Sequence, residues 1–120
     1  METTTDHDIE ALIENELLTK KSKQSDIYAG AAEYLLYRES NLYDAITLTN
    51  SAIAIDENNG WARSLKIRIY ERMKLYDQIL AAIVQYQQYA ESRDWENEAE
   101  KQNTLTHLKP EHKRISSLKP

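Results

Sequence analysis

Between Leu42 and Ile55 the apolar positions Leu42, Ala45, Ile46, Ala52 and Ile53, with Thr49 among them, follow steps of three and four residues, and Leu48 and Ile55 start a second stripe. Such steps keep side chains on one face of an α-helix, so the pattern predicts a helix packed on two sides. The same spacing upstream, at Ile9, Leu12, Ile13 and Leu17, predicts a first helix capped by Thr5 or Asp6 and ending near Thr19. The run Lys20-Lys21-Ser22-Lys23-Gln24-Ser25 has no apolar residue and predicts a linker, with Ser25 capping the next helix. That helix, from Asp26 to Glu39, opens on small residues, Ala29, Gly30, Ala31 and Ala32, and closes on Tyr34, Leu35, Leu36 and Tyr37. Small side chains let a neighbouring helix axis come close.

Downstream of Ile55, the polar turn Asp56-Glu57-Asn58-Asn59-Gly60 precedes a helix from Trp61 to Lys74 with Ala62, Leu65, Ile69 and Met73 on one face. A further helix from Tyr76 to Ala90 carries Tyr76, Ile79, Leu80, Ile83, Tyr86 and Ala90. After the break at Glu91-Ser92-Arg93-Asp94, the spacing of Trp95, Ala99, Leu105 and Leu108 predicts a last, weakly apolar helix, and little order is expected beyond Pro110.

The middle of the chain repeats. Leu42-Tyr43-Asp44-Ala45-Ile46 returns as Leu75-Tyr76-Asp77-Gln78-Ile79, 33 residues later, and the same shift lays Ala29 on Ala62, Ala32 on Leu65, Leu36 on Ile69 and Tyr37 on Tyr70. A period of about 33 residues with helical spacing inside it is the mark of stacked helical hairpins, each burying its stripe on the next. A third copy would need apolar residues where Glu98 and Gln102 stand, so the last helix is read as a cap. The expected organisation is all-α: residues 1–24 as N-terminal helix and linker, 25–91 as two hairpins, 92–109 as capping helix and 110–120 as a flexible basic tail.

Composition supports this class. The 120 residues hold two glycines, two prolines and no cysteine, which leaves few strand-turn residues and excludes disulfides, thiolate metal sites and a cysteine nucleophile. The start, Met1-Glu2-Thr3-Thr4-Thr5-Asp6, lacks the basic and apolar parts of a secretory signal, and the longest apolar run, Ile79 to Val84, falls far short of the roughly 20 residues that span a bilayer. A soluble cytoplasmic protein without a membrane span is expected. The net charge of −5 argues against a nucleic-acid partner, although Lys101, Lys109, Lys113, Arg114 and Lys119 stand against Glu111 alone near the C-terminus.

Tyr43-Asp44-Ala45-Ile46, followed by Ala52-Ile53-Ala54-Ile55-Asp56-Glu57-Asn58-Asn59, resembles the second helix and following turn of the tetratricopeptide repeat. The resemblance covers about half of the chain, from Asp26 to Glu91, and departs from the family where Glu57 replaces a preferred proline and where Gln78 and Gln85 replace small alanines. It implies a right-handed stack of two hairpins whose first helices line a concave groove holding a segment of a partner protein. The face it implies comprises Tyr34, Tyr37, Arg38, Arg63, Ile67, Tyr70 and Glu71. Helical geometry agrees for Tyr34, Arg38, Arg63, Ile67 and Glu71, which lie a quarter turn or more from the packing stripes.

Catalytic patterns are missing. His7, His107 and His112 have no ligand spacing, and Glu96, Glu98 and Glu100 are spaced by two, so on a helix they diverge. Gly30 and Gly60 stand alone, which leaves no phosphate-binding loop. No catalytic residue, metal or cofactor is expected. Every large aromatic residue is one of eight tyrosines or two tryptophans, each with a polar end that suits half-wet surfaces. The sequence therefore points to a non-catalytic protein-binding module, adaptor or chaperone-like. A small secretion-type chaperone and a self-associating structural subunit, the latter pairing through the Tyr76 to Ala90 helix and the cap as a homodimer, are the alternatives.

Overall fold

The computed structural model describes residues 6–95 and 97–119, with the backbone alone described at Asp6 and His7. The expected cap at Thr5 and the carboxylate of Glu96 lie outside the described residues, as do the first five positions and Pro120. The fold is all-α, with α1 at Asp6–Arg38, α2 at Leu42–Ile55, α3 at Gly60–Arg72, α4 at Tyr76–Ser92 and α5 at Glu98–Leu118, and no strand among the described residues. The chain divides into two compact units, with the boundary between Ala62 and Arg63 inside α3.

In the first unit α1 packs on α2. The small residues come into close contact as expected: Ala29, Ala32, Ala45, Ala52 and Ala62 are fully buried, with Leu36 and Ile46 nearly so. The expected linker at 20–25 does not exist. α1 runs through it without a break, because lysine and glutamine are good helix formers and neither glycine nor proline interrupts the run. A polar stretch lacks a reason to pack, but it does not lack the means to stay helical. Ser25 is accordingly no cap: it is fully buried, and its Oγ donates to the Ala52 carbonyl of α2 at 2.7 Å.

Asn59 completes that contact. Its Nδ2 donates to Ser25 Oγ at 2.8 Å and to Asp26 Oδ1 at 3.0 Å, while its Oδ1 accepts from the Ala62 amide at 3.0 Å. The last bond makes Asn59 the N-cap of α3, so one buried side chain ties α1 to the start of α3 and satisfies an orphan amide of that helix. Asn59→Ala is expected to cost about 1–3 kcal/mol, from the lost cap and the loosened buried network. Chemical denaturation checks it; an unchanged midpoint would mean the network is dispensable.

α1 and α3 end alike. Ser40 N–H donates to Leu35 O at 3.2 Å with Glu39 at φ 51°, and Leu75 N–H donates to Tyr70 O at 3.1 Å with Lys74 at φ 58°. This is a left-handed helix stop that glycine usually occupies. Neither turn contains glycine, so the bend had no glycine signal in the sequence.

In the second unit α4 packs on α5. Ile79, Ile83, Leu108 and Ile115 form the core, with Ile67, Tyr70, Tyr76, Leu80 and Tyr86 packed against it. The last helix differs from the expected cap at both ends. It starts at Glu98, where Asn97 Oδ1 accepts from the Ala99 amide at 2.8 Å, and Trp95 stays outside it, donating its indole N–H to Ala90 O at 2.7 Å. Ala99, expected to be buried, is exposed. Residues 110–118, expected as a flexible tail, continue the helix through Pro110. An interior proline loses a hydrogen bond and costs about 3 kcal/mol, yet Leu108 and fully buried Ile115, seven residues apart on one face, hold the segment in place. Tertiary burial overrides the local breaker.

Candidate partner-binding surface

Of the residues expected to meet a partner, Tyr34, Tyr37 and Arg38 sit near the end of α1 and are exposed, Tyr34 by 59% and Tyr37 by 67%. Arg38, one turn beyond Tyr34, donates from Nη1 to the phenol oxygen at 3.0 Å and lies 5.3 Å from the ring centroid. The pair presents an aromatic plate beside an exposed guanidinium, a combination suited to carboxylate-bearing partners.

The other four belong to the second unit and are engaged within it. Arg63 stacks 4.1 Å from the Tyr89 ring centroid and 5.9 Å from that of Tyr86. Ile67 and Tyr70 pack half-buried on the Ile79–Ile115 core. Glu71 accepts from Arg114 Nη2 at 2.9 Å, and Glu111 accepts from the same nitrogen at 2.7 Å. These two carboxylates, Glu111 foremost, hold the Arg114 guanidinium firmly charged. Partial burial, and secondly the nearby Arg63, lower the pKa of Lys66. Ile67 and Glu71 still line a depression of about 290 Å³ with Arg68, His107, Leu108 and Arg114.

The sequence reading missed a larger feature. Ile9 at 44%, Leu12 at 65%, Ile13 at 53% and Leu17 at 55% exposure, expected as a packing stripe, have nothing laid on them among the described residues. Ile27, 71% exposed, lies five helical turns from Ile9 and so at the same angle, with Tyr34 and Arg38 close to that line. Ser25 and Ala29, two residues to either side of Ile27, fall on the opposite, buried side. One outward face thus runs the length of α1. Its signal was present in the spacing from Ile9 to Ile27, but it is legible only once 20–25 is known to be helical.

No group of three or more histidine or acidic side chains among the described residues is placed to hold a metal ion, and no helix among them is long and apolar enough to cross a membrane. The described residues define an all-α protein with an exposed apolar helix face. Comparisons with protein-family models, curated proteins and solved structures found no match to this chain.

Proposed function

We propose that the chain is a non-catalytic cytoplasmic protein-binding module, adaptor or chaperone-like, that holds a segment of a partner protein. The observation that carries the reading is the exposed Tyr34–Arg38 pair with Tyr37 beside it, since tyrosine and arginine exposed together are the residue types enriched where interfaces concentrate their affinity. The resemblance of Tyr43 to Asn59 to the tetratricopeptide repeat supports it, because hairpins of that family serve this purpose. Tyr34, Tyr37 and Arg38 form the primary contact. Arg63, Ile67, Tyr70 and Glu71 form a second one, carried by the parts of those side chains their neighbours leave exposed.

Affinity capture from the native host supplies the partner, and titration calorimetry then tests the face. Tyr34→Ala combined with Arg38→Ala is expected to weaken binding by at least about 2 kcal/mol, roughly 30-fold, with an unchanged melting temperature because both side chains are exposed. A double variant that binds as tightly as the parent places the contact elsewhere and ends this reading.

A further inference from the structure

Every described side chain from Asp8 to Gln24 is exposed, and Ile9, Leu12, Ile13 and Leu17 stand on one side of this half of α1. A helix standing in water without packing is marginal, and a stripe of this kind is the usual mark of an interaction surface. Charge decides what can cover it. Six of the 20 acidic residues, Glu2, Asp6, Asp8, Glu10, Glu14 and Glu16, precede Lys20, and all 15 lysines and arginines lie at Lys20 or beyond. The net charge of −5 therefore belongs to this segment, and the rest of the chain is close to neutral. Carboxylates also border the stripe: Glu10 lies one turn before Ile13, and Glu16 one turn beyond both Leu12 and Ile13. Neither Glu10 nor Glu14 has an ion-pair partner among the described residues. Glu16 meets Lys20 at 3.8 Å with both side chains 71% exposed, a pairing worth little in water.

A second copy laid stripe on stripe sets these acids on their own counterparts, and an anionic lipid surface or a nucleic acid meets the same repulsion. An extended peptide gains little, because α1 offers no sheet edge and its backbone groups are paired within the helix. A helix, by contrast, satisfies its own backbone and can lay an i, i+3, i+4 stripe into the grooves beside Ile9, Leu12, Ile13 and Leu17. We propose that this face of α1 docks a basic amphipathic helix of a partner protein, with aliphatic residues on the stripe and lysines or arginines against Glu10, Glu14 and Glu16. The inference goes beyond the Tyr34–Arg38 contact, since Tyr34 lies about 25 Å further along the helix than Leu17. From Ile9 to Leu17 the stripe is about 12 Å long, so the interface falls below the roughly 1,200–2,000 Å² of stable complexes. Binding is therefore weak, with Kd of about 1–100 µM, and weakens further with salt.

Fluorescence anisotropy of the full chain with synthetic peptides tests this. The probe is an alanine-based helical peptide of about 18 residues, with leucines at i, i+3, i+4 and i+7 and lysines beside them. One control peptide carries glutamate for lysine, the other alanine for leucine. The lysine–leucine peptide is expected to bind with Kd of about 1–100 µM at low salt, and either control at least ~10-fold more weakly. Leu12→Ser combined with Leu17→Ser, and separately Glu10→Gln with Glu14→Gln and Glu16→Gln, should each weaken the probe at least ~10-fold. Circular dichroism and the melting temperature should stay those of the parent, because every substituted side chain is exposed. Tyr34→Ala combined with Arg38→Ala should leave probe binding unchanged, so failure of that contact and failure of this one are read separately. A glutamate peptide that binds equally well overturns the charge assignment, and a probe indifferent to both sets of substitutions overturns the surface. A chain that binds no peptide, or whose α1 face instead takes up anionic vesicles or a second copy in sedimentation, overturns the proposal.

Discussion

Ile115→Ala is expected to destabilise the second unit by about 2–5 kcal/mol, the range for emptying a fully buried isoleucine site whose surroundings relax only in part. Ile115 packs with Ile79, Ile83 and Leu108, so the cavity would open in the middle of the contact between α4 and α5. At about 4–8 °C per kcal/mol for a chain of this size, the melting temperature should fall by roughly 10 °C or more. Exposed Lys113→Ala, on the same turn of helix, should do little. Removing residues 110–120 should be at least as damaging as Ile115→Ala, whereas a flexible tail would be dispensable. Circular dichroism melts of the three variants decide it: if the truncated chain melts with the parent, α5 contributes nothing beyond Lys109.

Ala52→Trp is expected to destabilise the first unit by about 3 kcal/mol or more. Ala52 is fully buried on α2, and its carbonyl accepts both Ser25 Oγ at 2.7 Å and the Asp56 amide at 2.9 Å, so an indole has no space without parting the two helices. Parting them also breaks the Ser25–Asn59 bond. The same substitution two residues on, at exposed Ala54, should leave stability nearly unchanged. Denaturant midpoints measured side by side would contradict the close α1–α2 packing if both variants matched the parent.

Much of the fold was legible in the sequence, as particular residues show. α2 occurs at Leu42–Ile55 as read, and Ala29, Ala32, Leu36, Leu65, Ile69, Ile79 and Ile83 are all buried, because steps of three and four residues impose a face whatever the fold around them. The candidate surface was legible in part. Tyr34, Tyr37 and Arg38 are exposed since they lie off the packing stripe of their own helix, a property of local geometry. Arg63 and Glu71 were read the same way, but Tyr89 and Arg114, distant along the chain, engage them. No periodicity within α3 contains that information.

The amino-acid sequence by itself determined the all-α class, the starts of α2, α3 and α4 to within a residue, and the stripes that those three helices and the second half of α1 bury, because these depend on neighbours three and four positions away. Only the tertiary structure decided that 20–25 is helix, that Ser25 is a buried tie to α2, and that α5 passes through Pro110 to bury Ile115. In each of these the local signal is neutral or adverse. A serine can cap a helix or bond across one, and a proline ends a helix unless burial beyond it offsets the lost hydrogen bond. What settles the outcome is a partner atom far away in sequence, the Ala52 carbonyl in one case and the Ile79–Ile83 face of α4 in the other.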